Sequence, residues 1–185
     1  MRTTATASVD VMKLPPQHFN FCPSCGKRTG KPENKALRCG NCGFTYYFNP
    51  TIGTAGFVEN DKGEILLIKR GKDPAKGKLA PPGGFADYGE SAEEALSREF
   101  LEETGLRISD WRYLTSAVNW YTYKEVTYPV LDFFYAAGVD GSQDLDLCSQ
   151  ETAGARWIAW KSIDAETLAF PSMQEAFKVF VSEKD

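Results

Sequence analysis

Glu99, Glu102 and Glu103 lie within five residues of one another, in a segment whose signals predict a helix. Ser91-Ala-Glu-Glu94 has the form of a capping box, with Ser91 accepting from the first-turn backbone and Glu94 reaching back, and Gly105 supplies the stop. Residues 92–104 are therefore expected to be helical. At about 100° per residue, Ala92, Ala95, Leu96 and Phe100 define the apolar arc, and the three glutamates project over or beside it. A merely solvated acidic face would lie opposite that arc. Like charges at i and i+4, as in Glu99 and Glu103, cost a few tenths of a kcal/mol in water and several when partly buried. A bound cation removes that cost. Carboxylate oxygens are hard ligands that suit Mg²⁺ or Mn²⁺ rather than Zn²⁺, and Mg²⁺ completes its octahedron with water and phosphate oxygens. The pattern points to metal-assisted phosphoryl chemistry.

A second set of ligand-type residues precedes this one. Cys22-Pro-Ser-Cys25-Gly26 and Cys39-Gly-Asn-Cys42-Gly43 repeat one pattern, with 13 residues between the pairs. Thiolates at this spacing converge tetrahedrally on Zn²⁺, and Gly26 and Gly43 permit the positive φ that turns backbone amides toward sulfur. Four soft ligands leave no open position, so the expected site is structural. Two disulfides are the competing reading, disfavoured where thiols stay reduced. Cys148 has no partner in the pattern and reads as a small buried hydrophobe, and His18 as a polar linker residue.

The elements that must hold these groups follow from patterning. Residues 1–19, with Thr and Ala up to Gln17 and the pair Pro15-Pro16, read as a flexible tail, and residues 20–48 as a zinc ribbon. The Asn49-Pro50 step opens a mixed α/β domain over 49–185. Residues 51–59 and 64–70 form a hairpin around Asn60-Asp-Lys-Gly63, and a loop runs from Gly71 to Gly84. Later strands are expected at 113–120, 126–139 and 155–160, with a closing helix from about Ser172 to Ser182.

The run from Gly84 to Leu106, Gly-Phe-Ala-Asp-Tyr-Gly-Glu90-Ser-Ala-Glu-Glu-Ala-Leu-Ser-Arg98-Glu99-Phe-Leu-Glu102-Glu103-Thr-Gly105-Leu106, resembles the Nudix box at every specified position. The ribbon joined to such a box is similar to the NADH pyrophosphatase branch of that family. The resemblance implies an α/β fold, a Nudix-type mixed-sheet α/β/α sandwich behind the ribbon. It also implies that Glu99, Glu102 and Glu103 bind Mg²⁺ or Mn²⁺, that the Gly83 carbonyl adds a ligand, and that Arg98 pairs with Glu90. Glu151, six residues before Trp157, sits where some members carry a further carboxylate as metal ligand or base. The implied reaction is Mg²⁺-dependent hydrolysis of the diphosphate in a nucleoside diphosphate derivative, with Glu102, Glu103 or Glu151 as the general base.

Arg70, Trp120, Tyr121 and Phe170 are the candidates to meet the nucleotide, with Tyr123 beside them. The Ser-Gln-Pro-Trp array of NADH pyrophosphatases is absent. Asn119-Trp-Tyr121 and Phe170-Pro-Ser172 are its distant echoes, which leaves ADP-ribose, NADH and related compounds open as substrates. The rival from another class is a non-catalytic nucleotide sensor whose ribbon grips nucleic acid or protein.

Composition sets the outer limits. A net charge of −4 over 185 residues gives no global basic field, so nucleic acid is not expected as a partner, although a local basic patch is allowed. No apolar run approaches the roughly 20 residues of a membrane span. The expectation is a cytoplasmic protein acting on a small nucleotide, with a homodimer left open.

Overall fold

A computed structural model describes residues 13–30, 32, 35–140, 145 and 152–184. The calls on Glu151 and Cys148, and most of the expected tail, fall outside the described residues. The chain divides into two compact units, one of residues 1–50 with 120–129, the other of 51–119 with 130–185.

In the first unit β1 (Ala36–Arg38) pairs antiparallel with β2 (Thr45–Tyr47), Ala36 opposite Tyr47 and Arg38 opposite Thr45. Ala36 and Leu37 are buried, and the rings of Phe19, Tyr46 and Phe48 meet one another at 5.0 to 5.7 Å between centroids. Within the segment expected as a loose tail, Pro15–His18 forms a 3-10 helix. Two prolines fix φ near the helical value at its start. Lys13 anchors this stretch: its carbonyl accepts from the Thr127 amide at 2.9 Å and its ammonium meets Glu125 at 2.8 Å.

The second unit is a mixed six-stranded sheet with β3 (Thr51–Asn60), β4 (Glu64–Arg70), β5 (Leu79–Ala80), β6 (Arg112–Tyr123), β7 (Val126–Val139) and β8 (Thr152–Ala159). The strands follow the order β5-β4-β3-β7-β6, and β8 pairs with β4 off that path. The β3–β7 pair is parallel from Thr51 opposite Val130 to Asn60 opposite Val139. Both faces of β3 are buried. Ala55 and Phe57 pack with Phe134, Phe177 and Phe180 under the C-terminal helix α2 (Pro171–Ser182). Val58 packs on the other face with Leu66 and Phe100 of helix α1 (Ala92–Thr104). An α/β/α sandwich is the result.

Helix α1 has the expected bounds because its limits are locally written. Ser91 Oγ accepts from the Glu94 amide at 3.2 Å, the Glu94 carboxylate accepts from the Ser91 amide at 2.8 Å, and Gly105 closes the helix at φ 76°. Elsewhere the structure corrects the expectation. The loop 71–84 contains β5, whose two residues are too few to show periodicity. β6 runs three residues past Trp120, and β8 begins at Thr152 and ends before Trp160, which opens a 3-10 helix.

Candidate functional site

Residues 82–86 lie along the first half of β3 as if they were a further strand. The Gly56 amide donates to the Pro82 carbonyl at 3.0 Å, the Thr54 amide to Gly84 at 2.8 Å, and the Ala86 amide to Ile52 at 3.1 Å. Gly83, at φ 146°, is forced by this contact: a Cβ there would stand 2.1 Å from the Thr54 carbonyl oxygen. The loop so seated points the Gly83 amide at helix α1, where it donates to Glu103 Oε2 at 2.9 Å. A Cβ on Gly84 would fall 2.4 Å from the Glu99 carboxyl carbon. Two glycines thus let two glutamates reach the backbone of the loop.

Arg98 ties the two segments together. Its Nε and Nη2 donate to the two oxygens of Glu90 at 2.8 and 3.0 Å, Nη2 also donates to the Phe85 carbonyl at 3.1 Å, and Nη1 donates to Glu99 at 2.8 Å and Glu102 at 3.5 Å. A planar fork suits such bidentate pairing. The Arg98 guanidinium and then the Asp87 amide, 2.8 Å from the carboxylate, hold Glu90 down at about 2. Hydrogen bonds from Arg98 to Glu90 and Glu99 in turn push the arginine above its ordinary value.

The glutamates do not share one environment, which corrects the expectation of three carboxylates on a buried face. Glu103 is 7% exposed, and the side chains of Glu99 and Glu102 are 16% and 59% exposed. Helical geometry accounts for the split. Glu103 lies about 40° from Glu99 around the axis, whereas Glu102 lies about 60° to the other side, toward solvent. Glu99 and Glu103 flank the Gly83-Gly84 backbone, and Glu102 stands at the rim. An all-oxygen donor set around a nearly buried carboxylate fits Mg²⁺ or Mn²⁺.

The four cysteines converge closely. Among the described residues they form the one cluster of three or more His, Cys, Asp or Glu whose donor atoms all lie within 4.8 Å of one another. Sγ of Cys22 and Cys42 are 3.8 Å apart, and those of Cys25 and Cys39 are 3.7 Å apart. Tetrahedral Zn²⁺ with bonds of about 2.3 Å needs sulfur edges of about 3.8 Å, so the set is compatible with that ion. The two turns are copies: amides of Cys22 and Cys39 donate to the carbonyls of Lys27 and Phe44, and Gly26 and Gly43, at φ 68° and 76°, donate back to Cys22 and Cys39. Amides of Cys42 and Asn41 directed at its sulfur bring Cys39 down to about 6, and the Lys27 amide lowers Cys25. Those donors favour thiolate at Cys39 and Cys25, while the neighbouring sulfurs and burial push Cys42 up to about 11.

The nucleotide candidates are divided. Arg70 and Phe170 come together, the guanidinium carbon 5.0 Å from the ring centroid, with Arg70 Nε donating to the Pro74 carbonyl at 2.9 Å. Trp120, exposed, and Tyr121, half-buried, belong to the first unit. A polar cluster on β7 went unread in the sequence: Asp132 accepts from Ser172 at 2.7 Å and from Asn119, and burial pushes its carboxyl up. A lone carboxylate inside the apolar run 126–139 was the available signal.

The chain resembles known proteins in sequence and in fold. The chain is 49% identical over 63 residues, 34% of its length, to an ADP-ribose pyrophosphatase from Methanocaldococcus jannaschii. It is 38% identical over 100 residues, 52% of its length, to a protein from Haemophilus influenzae named NAD-capped RNA hydrolase NudC. Each match spans 37% of the relative's length. The crystal structure of a Nudix hydrolase from Nitrosomonas europaea, 22% identical, superposes with a TM-score of 0.65 over 89% of this chain and 92% of that one. No described helix is long and apolar enough to cross a membrane. The model of the NUDIX domain matches residues 49–180, and the chain belongs to the Nudix family.

Proposed function

We propose that the protein is a pyrophosphohydrolase that uses Mg²⁺ or Mn²⁺ to cleave the diphosphate of a nucleoside diphosphate derivative, ADP-ribose or an NADH-like compound. Residues 49–185 form the hydrolase domain, and residues 20–48 a ribbon closed by one Zn²⁺ on Cys22, Cys25, Cys39 and Cys42. The observation that carries the reading is the seating of Glu99 and Glu103 against Gly83-Gly84, with Arg98 bridging Glu90 to Glu99. The names of the two curated relatives support the substrate class.

Glu99, Glu102 and Glu103 would hold the catalytic ion, with the Gly83 carbonyl and Glu151 as further ligands. Such an ion, when bound, would supply polarisation of the diphosphate and a lowered pKa for the attacking water. The chain itself supplies order and a base. Glu103 is fixed by the Gly83 amide and Glu99 by Arg98 at 2.8 Å, whereas the exposed Glu102 meets Arg98 only at 3.5 Å and is the least restrained of the three to accept the water's proton. The water oxygen attacks one phosphorus, the bridging P–O bond breaks, and the products are a nucleoside monophosphate and the phosphorylated partner. Arg70 and Phe170, which stand together, meet the nucleotide. The reduced thiols that the ribbon needs support a cytoplasmic location.

A panel of ADP-ribose, NADH, NAD and nucleoside triphosphates, assayed with and without Mg²⁺ or Mn²⁺, tests the reading. ADP-ribose is expected to be cleaved to AMP and ribose 5-phosphate at least as well as NADH. The margin within the panel rests on a few pocket contacts, about 10- to 200-fold in kcat/KM. No metal-dependent release of a monophosphate from any member would refute it.

A further inference from the structure

The net charge of −4 hides a separation between the units. Residues 1–50 and 120–129 carry eight Lys and Arg against three Asp and Glu, a net of +5, which leaves −9 for the remainder. Four thiolates on one Zn²⁺ subtract about two charges from the first figure and leave it positive. Cations crowd the ribbon itself, with Lys27, Arg28, Lys35 and Arg38 all exposed.

The same unit shows more aromatic surface than its small core uses. Beyond the Phe19, Tyr46 and Phe48 cluster, Phe21 is 56% exposed, Tyr47 57% and Tyr123 53%. Two of these rings carry a cation on their faces, Arg28 at 5.6 Å over Phe21 and Lys124 at 5.4 Å over Tyr123. Tyr47 shares a face of the β1–β2 hairpin with Arg38, because cross-strand pairs alternate sides and Ala36–Tyr47 and Arg38–Thr45 are two residues apart.

We propose that this unit is a docking surface for single-stranded nucleic acid, its cations meeting phosphates and Phe21, Tyr47 and Tyr123 stacking on bases. Charge complementarity and the rings choose the occupant together. An acidic protein surface, such as the second unit of another copy, answers the cations but offers nothing flat for exposed rings to cover. A duplex answers the cations but keeps its bases inside. A single strand alternates phosphate with an open π-face, which is the chemistry the unit repeats at Arg28–Phe21, Lys124–Tyr123 and Arg38 with Tyr47. The inference does not depend on hydrolysis, since docking is read without turnover.

The experiment titrates the full-length, zinc-loaded protein into a fluorescently labelled uridylate oligomer of roughly 12 nucleotides and follows anisotropy at about 50 and 200 mM salt. Micromolar binding that weakens with salt is expected, with a log–log slope of about −0.7 per phosphate met. The double variant Arg28→Gln, Arg38→Gln should bind at least about fivefold more weakly at low salt and show a flatter slope. Tyr47→Ala should lose about five- to a hundredfold at every salt concentration with the slope unchanged. Zinc content and the rate on free ADP-ribose should match the parent in both variants. Absence of turnover in the parent would count against the proposed hydrolysis and leave the docking result standing. No binding at low salt, or binding indifferent to all three substitutions, overturns the inference. So does a salt-sensitive dimer in sedimentation that the arginine variant abolishes while the oligomer stays unbound, which would give the surface to a second copy.

Discussion

Gly83 and Gly84 are neighbours in one loop, and alanine at each should fail in a different way. At Gly83 the new Cβ meets backbone, 2.1 Å from the Thr54 carbonyl oxygen and 2.7 Å from the Ala55 Cα, and φ is 146°. Neither β3 nor the loop can retreat without breaking the hydrogen bonds at Thr54 and Gly56, so Gly83→Ala should cost about 3 kcal/mol or more and lower the melting temperature by many degrees. At Gly84 the backbone tolerates a side chain, and the Cβ instead meets the Glu99 carboxylate at 2.4 to 2.7 Å. Contact at about 3.5 Å requires that carboxylate to withdraw by about 1 Å. A flexible side chain gives way at small cost to the fold, about 1 kcal/mol. The metal does not tolerate it, because Mg²⁺ needs oxygens at about 2.1 Å in a near-ideal octahedron, and a 1 Å misplacement costs about 10²-fold in rate. Gly84→Ala should therefore melt close to the parent while losing about two decades of kcat and requiring more Mg²⁺ for half-maximal activity. Thermal melting and a Mg²⁺ titration of hydrolysis separate the two variants. Parent-like kcat and metal requirement in Gly84→Ala would refute the placement of Glu99 as a ligand.

Other outcomes follow from the same geometry. Glu99→Gln, Glu102→Gln and Glu103→Gln should each lower kcat by about 10² or more with the fold retained, since an amide oxygen can still accept the bonds now made; three variants all active at parent rates would remove the metal site. Purified protein should hold one Zn²⁺ per chain by elemental analysis, and Cys22→Ser or Cys39→Ser should loosen the ribbon while α1 persists; zinc-free protein with reduced thiols would contradict this. Glu90 is lowered from 4.5 to about 2 in the folded protein, so its contribution is fully present above 4.5 and is lost as pH falls toward 2. The melting difference between parent and Glu90→Gln should shrink over that window, and a difference constant from pH 6 to 3 would exclude the pairing as its source.

What could be read from the sequence was what short-range chemistry writes. Ser91, Glu94 and Gly105 fix α1 by contacts within a few residues, and the paired Cys-Gly turns repeat one local pattern, so helix and thiolate cluster were both legible. Glu102 shows a limit of method rather than of information, because the 100° step that placed Glu99 and Glu103 together also places Glu102 on their far side. β5 and the 3-10 turns were not legible, since two or three residues carry no periodicity. The Asp132, Ser172 and Asn119 cluster joins three elements distant in sequence and is visible only once the sheet has formed. The charge separation was hidden for a similar reason. It needs the grouping of residues 120–129 with the ribbon, and composition averages across that boundary.

The two proposed metal sites would differ in what they are required to do, and the difference follows from what surrounds each. Helix α1 has a counterion of its own: Arg98 reaches Glu90, Glu99 and Glu102, and the Gly83 amide satisfies Glu103, so the acidic face is compensated before any cation arrives. Beneath it lies a core with Phe57, Phe100, Phe134 and Phe180 fully buried. The divalent ion proposed there would serve the reaction and could leave without loss of the fold. The ribbon has no such reserve. Its strands are three residues each and its core is Ala36, Leu37 and a few rings, too little apolar area to hold four sulfurs within 4.8 Å against their mutual repulsion once ionised. Its turns nevertheless direct amides at the Cys25 and Cys39 sulfurs, which stabilises charge there that a bound cation would neutralise. On the proposed reading the first site would release its ion and the second would keep it, and the ligand chemistry, hard oxygen in the first and soft thiolate in the second, would keep the two ions from exchanging places.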